Sequence, residues 1–179
     1  LSPEQYEVNV KTRPKGTEFV EFAIKLPGKN DGIKCVYLPI DAKFPKDIYE
    51  KYLDAHENGD LGCISIASHQ MEQIVKRMAR DIHDKYLEVP YTTDFAIMFL
   101  PFENIYAEVI RRTALVEYVQ RKYHVIVTGP TTLGAILTSL QMGFRTLAIE
   151  KRSSEVWTVL AAVKTEFGKF GGMLEKVQK

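Results

Sequence analysis

Ile40-Asp41-Ala42-Lys43 places a carboxylate and an ammonium two residues apart at the end of an apolar run, and the run before it carries Glu21. Side chains two apart on a strand share a face, so Asp41 and Lys43 point the same way. Two carboxylates and a lysine held on a rigid sheet edge can bind a divalent cation beside a scissile phosphate. Mg²⁺ (or Mn²⁺) takes oxygen ligands and keeps several waters, so Glu21 and Asp41 suffice, with the Ala42 carbonyl as a further ligand. Such a metal neutralises phosphoryl charge and acidifies a water, while Lys43 orients that water or stabilises the developing negative charge. The same triplet on a solvated strand edge is only a surface ion pair. The local pattern alone leaves both readings open.

The elements that must position these residues follow from hydrophobic period. Tyr6 to Lys11 alternates apolar with polar, as a half-buried strand does. Arg13-Pro14-Lys15-Gly16 reads as a turn. Phe19 to Leu26 is a second strand, with Val20, Phe22, Ile24 and Leu26 on one face and Phe19, Glu21, Ala23 and Lys25 on the other. The turn cluster Pro27 to Gly32 makes the next strand, Ile33 to Ile40, an antiparallel partner. There Val36, Leu38 and Ile40 face one way and Cys35, Tyr37, Pro39 and Asp41 the other, with Pro39 marking an edge or a bulge. Counting back from the turn sets Glu21 opposite Pro39 or Asp41, to within a residue or two. At that separation the two carboxylates can share one ion.

After Pro45 the period becomes helical. A short helix is expected over Asp47 to Glu57, with Ile48, Tyr52 and Ala55 on one side and Asn58-Gly59-Asp60 as its end. A long helix follows from about Ile66 to Tyr86, its buried stripe being Ala67, Met71, Ile74, Val75, Met78 and Ile82. Asp94 to Pro101 is a continuous apolar run, as in a strand buried on both faces. A helix over Glu103 to Val119 and a buried strand over Val125 to Thr128 come next. Thr131 or Thr132 should cap a helix to about Glu150, and Ser153 or Ser154 a last one to about Val177. The pattern predicts one mixed α/β domain over residues 1–179, with an antiparallel hairpin, helix-connected strands and flanking and C-terminal helices.

Composition narrows the class. A chain of 179 residues can bury one good-sized core. Its 45% apolar and 26% charged content is that of a soluble globular protein. The net charge of +1 supplies no global field for nucleic acid, so any such affinity must come from local basic patches. Cys35 and Cys63 have no CxxC partner, which argues against a disulfide framework and for a reducing compartment. No stretch is long and apolar enough to span a bilayer, and no signal peptide opens the chain. The start at Leu1, leading at once into Ser2-Pro3-Glu4-Gln5, reads as a fragment of a longer protein.

Four blocks carry a resemblance. Val20 to Gly28 (VEFAIKLPG), Leu38 to Pro45 (LPIDAKFP), Tyr91 to Pro101 (YTTDFAIMFLP) and Gly129 to Leu133 (GPTTL) resemble, in order, the RmuC family of bacterial DNA recombination proteins. The resemblance covers nearly the whole chain. It implies a restriction-endonuclease-like fold of the PD-(D/E)XK nuclease-like superfamily. The superfamily's acidic residue on the second core strand falls on Glu21, a glutamate where aspartate is more frequent, and its D/E-x-K falls on Asp41 and Lys43. The implied role is in DNA recombination, restraining rearrangement at inverted repeats. The resemblance also implies a first core helix, often with another metal-binding glutamate, of which Leu1 would be the tail. It implies a parent with a coiled coil and an inner-membrane anchor, this part being cytoplasmic.

Other constellations are less specific. Lys76, Arg80 and His83 share a helical face, and Arg111-Arg112, Arg121-Lys122 and Lys151-Arg152 are basic pairs that could meet phosphates. Acidic residues lie among them, and a mixed face is ordinarily just solvated. Gly129 to Gly134 follows a strand and opens a helix but lacks the Gly-Lys-Ser/Thr ending of a phosphate loop. Thr131 is then first an N-cap and second a backbone contact to a DNA phosphate. The four histidines and two cysteines show no zinc spacing, and no nucleophile elbow is present. Trp157, Leu160, Phe167, Phe170 and Leu174 form a stripe that packs on the core or meets a partner helix.

The leading expectation is a Mg²⁺- or Mn²⁺-dependent DNA-cleaving domain acting on structured or branched DNA. Its site is Glu21, Asp41, Lys43 and the Ala42 carbonyl, with Lys76, Arg80, Arg111, Arg112 and Thr131 as DNA contacts and no small-molecule cofactor. The alternatives are a non-catalytic DNA-binding module of nuclease-like fold and a scaffold whose C-terminal helices build a homo-oligomer.

Overall fold

The structure is a computed structural model that describes residues 1–28 and 35–177, with side chains through 149 and at 156, 159, 160, 163 and 164. It divides into two compact units, Leu1–Ala135 and Ile136–Lys179. The first holds a five-stranded sheet: β1 (Tyr6–Val10), β2 (Val20–Pro27), β3 (Cys35–Ala42), β4 (Ala96–Phe99) and β5 (Val125–Thr128), in that spatial order. β1, β2 and β3 are antiparallel, whereas β3, β4 and β5 run parallel. Parallel neighbours need a crossover. α1 (Lys46–Glu57) and α2 (Leu61–Tyr86) lead from β3 to β4, and α3 (Glu103–Ile110) and α4 (Thr113–Tyr123) lead from β4 to β5. The mixed α/β class is as expected and is compatible with the restriction-endonuclease-like architecture.

The hairpin register is the detail that matters for chemistry. Ala23 pairs with Pro39 and Phe22 with Ile40. The predicted turn cluster falls largely on residues 29–34, outside the described residues. On the other edge of β3, Ile40, Asp41 and Ala42 sit level with Ile97, Met98 and Phe99 of β4. β4 is buried at Ala96, Ile97 and Met98, so both of its faces are covered, as the unbroken apolar run predicts.

The main core lies between one sheet face and the helices. α2 contributes Met71, Val75, Ala79, Ile82 and Tyr86, meeting Ile105 and Val109 of α3 and Leu115, Val119 and Tyr123 of α4. These positions repeat every three or four residues, which keeps one helical face inward. Ala79 and Tyr86 complete a stripe whose flanks, Ile74 and Met78, are only half-buried.

Three helix boundaries differ from expectation. α2 begins at Leu61 because Asp60 caps it, its carboxylate accepting the Cys63 N–H at 3.0 Å. The predicted helix over Glu103 to Val119 is instead two helices with a corner at Arg111-Arg112, where Arg112 leaves helical geometry at φ −89°, ψ 73°. That turn lets both helices present an apolar face to the same core. Pro130–Val177 is a single helix, α5, with no break at Ser153 or Ser154. No proline follows Pro130, and an interior serine costs a helix only about 0.5 kcal/mol. The unit Ile136–Lys179 consists, over its described residues, of α5. Among the described residues no helix is long and apolar enough to cross a membrane.

Candidate functional site

Asp41 and Lys43 meet at the C-terminal end of β3. Lys43 Nζ lies 2.7 Å from Asp41 Oδ2. The lysine is anchored through its own backbone, whose N–H donates to the Phe99 carbonyl at 2.9 Å. Asp41 is only 2% exposed. A carboxylate that deep is costly unless it is compensated. Its neighbour across the parallel ladder, Met98, belongs to the apolar core. Oδ2 is buried, and no hydrogen bond of sound geometry reaches it. The lysine contact is therefore an ion pair by distance whose angles fall short of a hydrogen bond. This is not the solvated edge pair of the blander reading.

Glu21 is brought to the same place by register. One step beyond the Phe22–Ile40 pair, the same antiparallel register sets Glu21 level with Asp41. Residues directly opposite on neighbouring strands share a face, here that of Ala23 and Pro39. Glu21 is exposed and Asp41 buried, so the pair grades from solvent into the core. Ala42 is exposed and level with Phe99.

Sequence reasoning missed Tyr86. It is a core residue at the end of α2, and its phenol is pushed well above the ordinary value. Burial is the first cause. The nearby Asp41 carboxylate comes next, followed by the charges of Glu18 and Glu21. The hydroxyl thus stays protonated near the Asp41, Glu18 and Glu21 carboxylates. The Tyr86 carbonyl accepts from the Thr12 hydroxyl at 2.8 Å, which fixes the end of α2 to the loop after β1. The sequence marks Tyr86 only as the end of the long helix, one turn past the predicted stripe. Nothing in that stripe says where its hydroxyl goes.

Among the described residues no group of three or more His, Cys, Asp or Glu gathers as a metal site. A hard cation of the Mg²⁺ kind does not require three, since waters fill its remaining positions. Asp41 Oδ2 is a buried acceptor with spare capacity, and Glu21 adds a second carboxylate on its face. The donor set therefore fits such an ion.

The basic candidates separate into two groups. Arg112 is used internally: it donates to the Glu108 carbonyl and to Ser68 Oγ, the latter at 2.9 Å, and lies over the Tyr52 ring. Arg111 donates to Glu108 Oε1 at 3.0 Å from an exposed position. Lys76, Arg80 and Lys122 instead gather around Tyr118 and Tyr123, with Arg121 beside them. His83 turns away, its Nδ1 2.9 Å from the Tyr123 carbonyl. The side chains of Lys151, Arg152, Trp157, Phe167, Phe170 and Leu174 lie outside the described residues.

Thr131 is not the cap of α5. The helix starts at Pro130, and the Thr131 N–H donates to Glu103 Oε1 at 2.6 Å. A carboxylate from α3 thus fills the anion-seeking end of α5, and Thr131, through its side chain first and its N–H second, holds the Glu103 carboxyl below its ordinary range. Gly129 permits the approach: a Cβ there would lie 2.7 Å from the Tyr106 ring and 2.8 Å from Glu103 Oε2. Both cysteines are free, as expected. Burial raises the Cys35 thiol, and the hydrogen bond to Asp60 raises that of Cys63.

Fold and site together define a mixed α/β domain with a buried carboxylate–lysine pair at the end of a central strand. The RmuC family profile matches residues 1–179, and the chain belongs to the RmuC family. It is 54% identical over all 179 residues to proteins described as DNA recombination protein RmuC homolog in Xylella fastidiosa, strains Temecula1 / ATCC 700964 and 9a5c. The chain spans 39% of the length of each. No solved structure matches it.

Proposed function

We propose that this domain acts on DNA in recombination as a metal-dependent phosphodiester hydrolase, with structured or branched DNA, such as inverted repeats, as its substrate. The observation that carries the reading is the buried Asp41 carboxylate, 2.7 Å from Lys43 Nζ, and the support beside it is that Glu21 lies one residue beyond the last β2–β3 pair, Phe22–Ile40. Glu21, Asp41 and the Ala42 carbonyl would hold Mg²⁺ or Mn²⁺. Such an ion supplies charge neutralisation at the phosphate and a more acidic water. Lys43 stabilises the negative charge that develops on the phosphoryl oxygens. Tyr86 presents a protonated phenol near the Asp41 carboxylate. The core behind Asp41 excludes water from one side and strengthens each of these interactions.

The test is cleavage of hairpin and branched DNA by this chain with Mg²⁺ or Mn²⁺. Asp41→Asn and Lys43→Ala should each lower the rate by about 100-fold or more, as loss of one preorganised electrostatic group does. Variants that cut at the wild-type rate would sink the mechanism. The Lys43 contact also favours a second reading, because an ammonium already neutralises Asp41. A non-catalytic DNA-binding module would bind DNA in a salt-dependent way, show no metal-dependent turnover and tolerate Asp41→Asn.

A further inference from the structure

α2 and α4 together build a basic, aromatic surface that the hydrolytic reading leaves unused. Tyr118, 38% exposed on α4, has Lys76 Nζ from α2 at 5.1 Å and Lys122 Nζ at 5.4 Å from its ring centre. Tyr123 packs edge-on against Tyr118 at 5.9 Å and also has Lys122 near its ring. Arg80 of α2 is raised above its ordinary value by Tyr123 first, with smaller contributions from Asp84 and Asp81. Beside Tyr118 a cleft of about 480 Å³ opens between Ala114, Glu117, Arg121 and Lys122.

Most of the cations here lack an ion-pair partner. Among the described residues Arg80, Arg121 and Lys122 make no salt bridge, and the Lys76–Glu72 ion pair is a loose 3.8 Å. The Lys122 ammonium beside Tyr118 draws that phenol below its ordinary value, and the phenol raises the lysine above its own. Three of the four cations make no ion pair among the described residues, and Lys76 and Lys122 lie over aromatic faces, so the surface can still take up anions. In a chain of net charge +1 this is local design rather than overall basicity.

We propose that this surface binds a single strand of DNA, with phosphates on Lys76, Arg80, Arg121 and Lys122 and one base stacked at Tyr118. Ammonium and guanidinium groups spread along two helices match a run of phosphodiesters. An exposed tyrosine among them provides the π-face on which an unpaired base stacks, which a base inside a duplex cannot do. The choice of DNA rests on the recombination reading above, whereas the placement rests on this cluster alone.

Binding of a fluorescein-labelled oligo-deoxythymidine of about 16 nucleotides, read by fluorescence anisotropy in EDTA, tests the proposal without calling on the Asp41 centre. The single strand should bind more tightly than a duplex of equal length. Arg121→Gln with Lys122→Gln should weaken it by about tenfold and lower the salt slope by about 0.7 per cation removed. Tyr118→Ala should cost about tenfold, whereas Tyr118→Phe should keep most of the affinity, since stacking needs the ring and not the hydroxyl. Glu117→Gln should tighten binding by removing the carboxylate in the cleft, and Arg111→Gln should change nothing. Equal affinity for duplex, or Tyr118→Ala binding like wild type with an unchanged urea midpoint, would overturn the proposal. Loss of cleavage in Asp41→Asn with this binding intact would separate the two sites.

Discussion

Arg111-Arg112 and Arg121-Lys122 look alike as sequence, two basic pairs ten residues apart, yet the fold spends them in opposite ways. The first pair sits at the corner between α3 and α4, where two helix ends leave unsatisfied carbonyls nearby. Arg112 answers one of them, at Glu108, and ties the corner to Ser68 and Tyr52. The second pair lies in the last turn of α4, where cations suit the helix dipole and need no carboxylate. The lesson is that a cation becomes available to a ligand where the fold has no internal acceptor for it. Charge count along the chain does not reveal that.

Breaking the corner should have the largest effect. Arg112 is 16% exposed in its side chain and makes charge-assisted hydrogen bonds to a carbonyl and a hydroxyl. Arg112→Ala should cost about 2 kcal/mol in urea unfolding. Arg112→Lys should recover little of this, since an ammonium cannot reproduce the planar fork. A cost near zero would mean that the corner holds without its arginine.

Glu103 belongs with Arg112 as a charge used internally, and pH reads its share. Its folded-state value lies below the ordinary 4.5 because the Thr131 side chain first, and its N–H second, stabilise the anion. A depressed carboxylate contributes stability that is present above its unfolded value and is lost as pH falls through the folded one. Glu103→Gln, followed by urea midpoints from neutral pH to about pH 3, should therefore flatten part of the loss below pH 4.5. An unchanged acid limb would show that the cap contributes nothing.

The smallest effect sharpens the contrast. Arg121→Gln and Lys122→Gln should lower the urea midpoint only slightly, because they give up the helix end and the ring contacts of Lys122 but no salt bridge among the described residues. A clear drop would place this pair with Arg112 and remove the basis for a ligand site.

The antiparallel hairpin, the shared face of Asp41 and Lys43, and the buried β4 and β5 were legible because period-two alternation and turn residues are local signals. Glu21 could be placed only to within a residue or two of its partner, since the turn residues do not define the register. The break at Arg112 was not legible, because the stretch around it keeps helical period on both sides. Nor was the continuity of α5, where Ser153 and Ser154 could cap a helix as readily as lie inside one.

The sequence by itself determined the class of domain, the pairing of the first strands and the three residues of the candidate centre, because alternation and chain order are properties of neighbours. Only the tertiary structure decided that Asp41 is buried and that Tyr86 lies near it. The same holds for Glu103, which caps a helix 28 residues on, and for α2 and α4, which pool their cations around Tyr118. Each of those outcomes depends on groups distant in the chain meeting in space, where burial and the choice of acceptor set the energy of a charge.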